Sequence, residues 1–129
     1  MTVYLCLDDR GGLTFNGRRL SRDAAVLADM AAEGPVTIDG FSEKLLAGIP
    51  WILAEEPLPE DCRFFLENRN PEDVLPAADR LVIYRWNRHY PADVRWDPDL
   101  DALGFVLRET ADFPGTSHEK ITREVYERC

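Results

Sequence analysis

Four charged residues crowd into six positions: Arg18, Arg19, Arg22 and Asp23. They follow two turn dipeptides, Gly11-Gly12 and Asn16-Gly17, in the stretch LCLDDRGGLTFNGRRLSRD, residues 5–23. Both dipeptides permit positive φ. Arginine forks beside free backbone amides at a helix start can hold a phosphate or a carboxylate. The same arginines can equally be a solvated cluster paired with surface acids, and such pairs contribute little. Asp23 also has two readings. It is a general acid if a pocket desolvates it beside a substrate proton. Otherwise it is a first-turn aspartate favoured by the helix dipole.

A second group mixes aromatics with cations: Trp86, Arg88, His89, Tyr90 and Trp96. Such a mixture can stack bases, or it can be a sheet edge with aromatics half in the core. The only histidines, His89 and His118, stand 29 residues apart. His118-Glu119 has no second histidine four residues on, so the metalloprotease pattern fails and His118 reads as a first-turn surface residue. Neither a Gly-x-Ser-x-Gly elbow nor a P-loop occurs. The three cysteines, Cys6, Cys62 and Cys129, show no Cys-x-x-Cys spacing, and with two histidines they do not make a structural zinc site. Cys6 reads as a small hydrophobe within a strand, and Cys129, the last residue, is expected to be mobile.

The elements that must position these groups alternate. VYLCLD, residues 3–8, is apolar on both faces and suits a central strand. Leu13 and Phe15 alternate between the two turns. Ser21 is the expected N-cap of a helix over 22–33, with Val26, Leu27 and Met30 on one face and Gly34-Pro35 as its stop. Further strands are expected at 36–39, 51–54 and 62–67, with a short helix over 42–47 capped by Ser42. Asn70-Pro71 opens a short helix through Leu75. RLVIYRW, 80–86, is the strongest strand, followed by 93–96 and 104–109. Thr116 and Glu119 have capping-box spacing. Ile121 and Val125 lie four apart, and Glu119–Arg123 and Lys120–Glu124 would be supportive pairs. This spacing predicts a helix over 117–127. The pattern as a whole is a single α/β domain over 1–129, its sheet mostly parallel with antiparallel C-terminal strands.

The chain has 129 residues and a formal charge of −9, 15 Lys and Arg against 24 Asp and Glu. That length buries a core, and 45% hydrophobic with 30% charged residues suits a globular protein. The acidic balance opposes long-range attraction to nucleic acid or anionic membrane, without excluding a local basic site. No apolar run reaches bilayer length. The odd cysteine count and the N-terminus MTVYLCLDD, with no export pattern, point to a reducing cytoplasm.

The order of these pieces resembles a dihydrofolate reductase reduced in size. That family opens with a central strand, an Asp or Asn, and a Gly-containing loop, which VYLCLDDRGGLTFNG matches. Leu20 matches the family's Leu before the acid, and Asp23 falls where the family keeps its catalytic carboxylate. VTIDGFSEKLLAGIP looks like its second strand and cofactor-side helix. ADRLVIYRW, PADVRWDPDL and GFVLRET resemble its C-terminal strands, with Asp93 and Trp96 where the family places an Asp and an aromatic. The resemblance implies a strand, not a helix, at the C-terminus, and a pterin-like ring as something the aromatic group would stack. The departures matter as well. The family's Pro-Trp is replaced by Ser21-Arg22, and its Gly-Arg appears only as Gly40-Phe41. Its late Gly-Gly pair, where backbone meets a dinucleotide pyrophosphate, has no counterpart, since no glycine lies between residues 49 and 103. Side chains there block close backbone contact, and the strand-and-helix unit carrying the pair reads as deleted. The chain also resembles small Firmicute proteins labelled ribonuclease Z. Such nucleases hold two zinc ions with a histidine cluster that two dispersed histidines cannot supply.

The expectation is a non-redox protein that binds an anionic small molecule or a protein partner, with Arg18, Arg19, Arg22, Arg85 and Arg88 lining the site and no cofactor or metal. The alternatives are an NADPH-dependent reductase of a pteridine or nucleotide-like substrate, with Asp23 as proton donor, and a homodimeric interaction module joined through a sheet edge.

Overall fold

The computed structural model describes residues 1–128; Cys129, expected to be mobile, lies outside them. In chain order it holds β1 (Thr2–Leu7), β2 (Gly12–Phe15), β3 (Arg18–Arg19), α1 (Ala24–Ala31), β4 (Val36–Ile38) and β5 (Trp51–Leu53). There follow β6 (Arg63–Phe65), α2 (Pro71–Val74), β7 (Arg80–Arg85), β8 (Val94–Arg95), β9 (Phe105–Phe113) and β10 (Ile121–Arg128). A seven-stranded sheet runs β5-β4-β6-β1-β7-β10-β9, and a small second sheet runs β3-β2-β8.

The position of β1 follows from its residues. Val3, Leu5 and Leu7 face one core and Tyr4 faces the other, with Cys6 packed beside it. A strand apolar on both sides is stable only where both faces are covered. It lies between β6 and β7, parallel to both. The pairs β4–β5 and β4–β6 are also parallel. β10 then enters antiparallel against β7 and β9. The expected mostly parallel sheet with an antiparallel tail is therefore found. One core joins Leu5, Phe64, Leu81 and Ile83 to Leu75, Trp96 and Phe105. The other, on the opposite face, joins Tyr4, Phe65, Val82 and Tyr84 to Val26 and Met30 of α1 and to Leu46. Among the described residues no helix is long and apolar enough to cross a membrane.

Three local expectations are corrected. Residues 121–128 are strand, not part of a helix over 117–127. Spacing of four places Ile121 and Val125 on one face of a strand as well as of a helix, so it does not discriminate between them. Pairing along both edges of β10 then outweighs a few i,i+4 contacts, each of a few tenths of a kcal/mol. Arg123 and Glu124 go elsewhere, Arg123 to Asp29 and Glu109, Glu124 to Arg85. The helix over 42–47 is a 3-10 turn at Gly40–Ser42 followed by turns, and the Ser42 hydroxyl donates to Glu67 instead of capping. Finally, α1 starts two residues later than expected, and its N-cap is Asp23, which accepts from the Ala25 amide, not Ser21.

The loop after β1 is pinned by a carboxylate. Asp8 is buried and accepts from the amides of Gly12 (2.6 Å), Arg10 (2.8 Å) and Tyr90 (3.0 Å). Gly12 must be glycine, because a Cβ there would lie 2.8 Å from the Asp8 carboxyl and 2.9 Å from Ala92. Burial pushes the Asp8 carboxyl up, but the three amides outweigh it and hold the group below its ordinary value. One buried side chain thus fixes the β1–β2 turn against the loop after β7. Asp8→Ala strands these amides, and the expected loss is about 2–4 kcal/mol, read as a lower urea midpoint at pH 7 with an unchanged denaturant slope.

Candidate functional site

The site lies at the carboxyl ends of β1 and β6, beside the start of α1, where open α/β sheets bind ligands. Its centre is Asp23, whose side chain is fully buried. Oδ1 accepts from the Ala25 amide, the Thr116 amide and the Thr116 hydroxyl, each at 2.9 Å. Oδ2 accepts from the amides of Ser117 (2.8 Å) and His118 (3.1 Å), and His118 Nδ1 lies 3.0 Å away. Burial pushes the carboxyl up. The Thr116 amide, the His118 ring and the Ser117 and Ala25 amides overcome that and hold it far below the usual carboxylate range. The lobe 115–118 closes this tightly only because residue 115 is glycine: a Cβ there would collide with Asp23 Oδ2 and lie 2.8 Å from the His118 carbonyl. Thr116, expected to cap a helix of its own, caps α1 from a distance by accepting from the Ala24 amide at 3.1 Å.

His118 is buried, with 4% of its surface exposed, which corrects its reading as a surface residue. Trp86 stacks on it at 4.6 Å between centroids, 19° from parallel. An ionised Asp23 can only accept, so Nδ1 carries a hydrogen toward it. Nε2 then faces two hydroxyls, Ser21 Oγ at 3.1 Å and Tyr90 Oη at 2.9 Å. Those two hydroxyls lie 3.3 Å from each other.

The cleft beside this cluster is lined by Cys6, Leu20, Ser21, Arg22, Val26 and Glu67, among others. Its enclosed space is about 20 Å³, room for about one water. Arg19 also lines it. Its Nε donates to Glu67 Oε2 at 2.7 Å and its Nη2 to Glu67 Oε1 at 3.0 Å, a bidentate pair, while the guanidinium lies 5.0 Å from the centre of the Phe41 ring. Glu67 is 8% exposed and also accepts from Ser42 at 2.6 Å. The bidentate contact raises the Arg19 pKa above its ordinary value. Burial, with the Glu67 carboxylate adding to it, pushes the Cys6 thiol well up, so it is no ready thiolate.

The expected site residues divide. Arg19, Arg22 and Asp23 meet at the cleft. Arg18 lies beside it, in an adjoining groove with Phe15 and Tyr90. Arg85 does not join them: it pairs with Glu124 at 2.9 Å and alternates along β7 with the Val82 and Tyr84 side chains that face α1. Arg88 is exposed on the loop after β7, and its carbonyl accepts from Asp9. Ser21, Glu67 and His118 are site residues that the sequence did not mark as such, while Tyr90 and Trp86 come from the aromatic group. Among the described residues no group of three or more His, Cys, Asp or Glu is placed to hold a metal ion.

No family model matches the sequence, and no curated protein is similar to it. Among solved structures the chain is similar to the dihydrofolate reductase from Enterococcus faecalis complexed with NADP(H) and RAB-propyl. The identity is 12%, 98% of this chain and 95% of that chain are covered, and the TM-score is 0.66. The fold is dihydrofolate reductase-like; an identity this low shows the fold alone.

A strand-and-helix unit, β6 and α2, does lead into β7, and its turn lies at the carboxyl end of β6 next to the central strand β1. It reads Glu67-Asn68-Arg69-Asn70-Pro71. Pro71 stands in the first turn of α2 and offers no N–H, while Glu72 and Asp73 place negative charge in that same turn. Arg69 is taken by Asp39 at 2.7 Å.

The depressed Asp23 pKa has a thermodynamic consequence of fixed sign. A carboxyl whose pKa is lower folded than unfolded stabilises fully above its unfolded value, about 4, and loses that contribution as pH falls toward its folded value. Asp23→Asn should therefore lower stability at pH 7 and flatten the acid limb, so that wild type loses about 2–2.5 kcal/mol more than the variant between pH 6 and pH 2. Urea unfolding at a series of pH values reads both.

Proposed function

We propose that the protein is a non-redox binding protein whose cleft takes a small anionic molecule. The observation that carries this reading is a pair of guanidinium groups without carboxylate partners. Acidic side chains outnumber Lys and Arg by 24 to 15. Seven of the thirteen arginines pair with carboxylates, namely Arg19, Arg63, Arg69, Arg80, Arg85, Arg108 and Arg123. Arg18 and Arg22, flanking the cleft, make no ion pair among the described residues and are exposed. Two free cations on either side of an occupied third, Arg19, make a local positive field in a chain whose net charge is negative. An entering carboxylate or phosphate meets Arg22 first and can compete with Glu67 for the Arg19 fork.

The reductase reading is supported by the fold and by the NADP(H) named with the similar solved structure. Against it stand two features of the site. Asp23, the candidate proton donor, is saturated with hydrogen-bond donors and held ionised. The turn after β6 carries side chains and acids where a diphosphate would need amides. The dimer reading has one supporting feature, exposed Ile52 and Leu53 on the edge strand β5.

Inorganic phosphate and malonate, titrated against a matched sodium chloride control, are expected to raise the thermal midpoint saturably. The effect is expected to disappear in the Arg18→Gln, Arg22→Gln double variant. NADPH, followed by its own fluorescence, is expected to show no saturation below about 1 mM. Saturable NADPH binding reverses the preference in favour of the reductase, and no anion effect beyond the chloride control removes the proposal. Light scattering that shows dimers dissociating on Leu53→Lys would move the function to the sheet edge.

A further inference from the structure

We propose that Ser21, His118 and Asp23 form a nucleophile–base–carboxylate triad that cleaves small acyl esters. This goes beyond anion binding and does not depend on it.

The geometry has the three required parts. The carboxylate is buried and bonds His118 Nδ1 at 3.0 Å. The opposite ring nitrogen, Nε2, is 3.1 Å from Ser21 Oγ. A serine hydroxyl within hydrogen-bond reach of a base that is itself oriented by a third group is the arrangement that activates a nucleophile. The arrangement is recognised by geometry and role, since it recurs on unrelated folds in different chain orders. Here the order is Ser21, Asp23, His118.

The surroundings fit the roles. His118 and Asp23 are shut from water, with side-chain exposures of 1% and 0%. Ser21 is half-buried and lines the cleft, so the nucleophile is the member that faces a substrate. Trp86 fixes the plane of the imidazole by stacking on it. The six donors on Asp23 keep it ionised, which makes Nδ1 the donor to it and turns Nε2 toward the hydroxyls. Tyr90 Oη shares that nitrogen at 2.9 Å and lies 3.3 Å from Ser21 Oγ. Its hydroxyl competes with the serine in the resting site and can donate to Oγ while the serine hydrogen points at Nε2. Arg22 lines the same cleft without a carboxylate partner and is the cation available to a developing oxyanion.

The chemistry balances without an added co-reactant other than water. Ser21 Oγ attacks the ester carbonyl carbon as its proton passes to His118 Nε2. The tetrahedral intermediate collapses, the bond from carbon to the alcohol oxygen breaks, and Nε2–H returns its proton to the leaving alkoxide. Water then attacks the acyl carbon, gives a proton to Nε2, and the acid leaves as Ser21 Oγ takes that proton back.

The test is a fluorophosphonate probe with intact mass and peptide mapping, alongside hydrolysis of p-nitrophenyl acetate. One adduct per chain at Ser21 is expected, absent in Ser21→Ala. Because Ser21 is half-buried and caps no helix, that variant should fold, and circular dichroism checks it. Tyr90→Phe is expected to keep the adduct, since the Ser21–His118 contact remains. Folded His118→Gln is expected to label at least about 100-fold more slowly. Absence of an adduct while a known serine esterase labels completely overturns the proposal. So does labelling that persists in Ser21→Ala, or Ser21 labelling that His118→Gln leaves unchanged.

Discussion

Much of the molecule turns on one carboxylate that has more donors than an ordinary aspartate. Asp23 caps α1 and at the same time gathers the amides of residues 116–118 from the connection between β9 and β10. Those two places are over 90 residues apart in the chain. Each of its oxygens takes three donors, so no lone pair is left for an incoming ligand. The cost of removing such a group from water is large, and it is offset only because every donor arrives with good geometry. That demand explains Gly115, where any side chain would meet Asp23, and it explains why Thr116 serves α1 and not a helix of its own. It also fixes His118, whose amide and ring both address the same oxygen.

The second constraint is the Arg19–Glu67 pair. Neither partner is fully exposed, and a half-buried ion pair is stable only if its remaining lone pairs and hydrogens are used. Ser42 takes one Glu67 oxygen and the Phe41 carbonyl accepts from Arg19 at 3.3 Å. This brings the end of β6, the turn after β4 and the strand β3 together across the cleft. A charged side chain thus forms part of the wall of a narrow cleft. In the proposed binding mode an anion would exchange with Glu67 for the same fork, so the arginine would keep a partner.

The main sheet was legible because its signals were redundant. In β1 and β7 both faces are apolar, which admits only a central position, and the early alternation of strand and helix implied parallel pairing. The C-terminal strand was not legible from its own residues. Spacing of four satisfies both periods, and what decides is β7, some forty residues away, whose edge needs a partner. The resemblance to a reductase supplied the strand where local reasoning predicted a helix. In the site, Asp23 and the arginine cluster were visible as residue types. His118 was not, because its neighbours Glu119 and Lys120 are polar and its burial comes from Trp86 and Asp23. The one signal near it was Pro114-Gly115-Thr116-Ser117, a tight turn rich in small donors. Arg85 lies away from the cleft because the side of the sheet on which a strand's last residue projects depends on the register of the whole sheet.

These two constraints bear on proton traffic. Hydrogen-bond donors stabilise a carboxylate's charge and so weaken its ability to hold a proton. A carboxylate can serve as a fold-closing acceptor or as an acid near neutral pH, and six donors put Asp23 firmly in the first role. The same features suit it to orient an imidazole, where permanent charge is what is needed. A position that the reductase resemblance would assign to an acid instead holds an imidazole through Nδ1, and the other ring nitrogen, Nε2, lies beside two hydroxyls at the cleft. Redox chemistry at this corner of the fold needs a group that gives up a proton, and donors that hold a carboxylate ionised work against that.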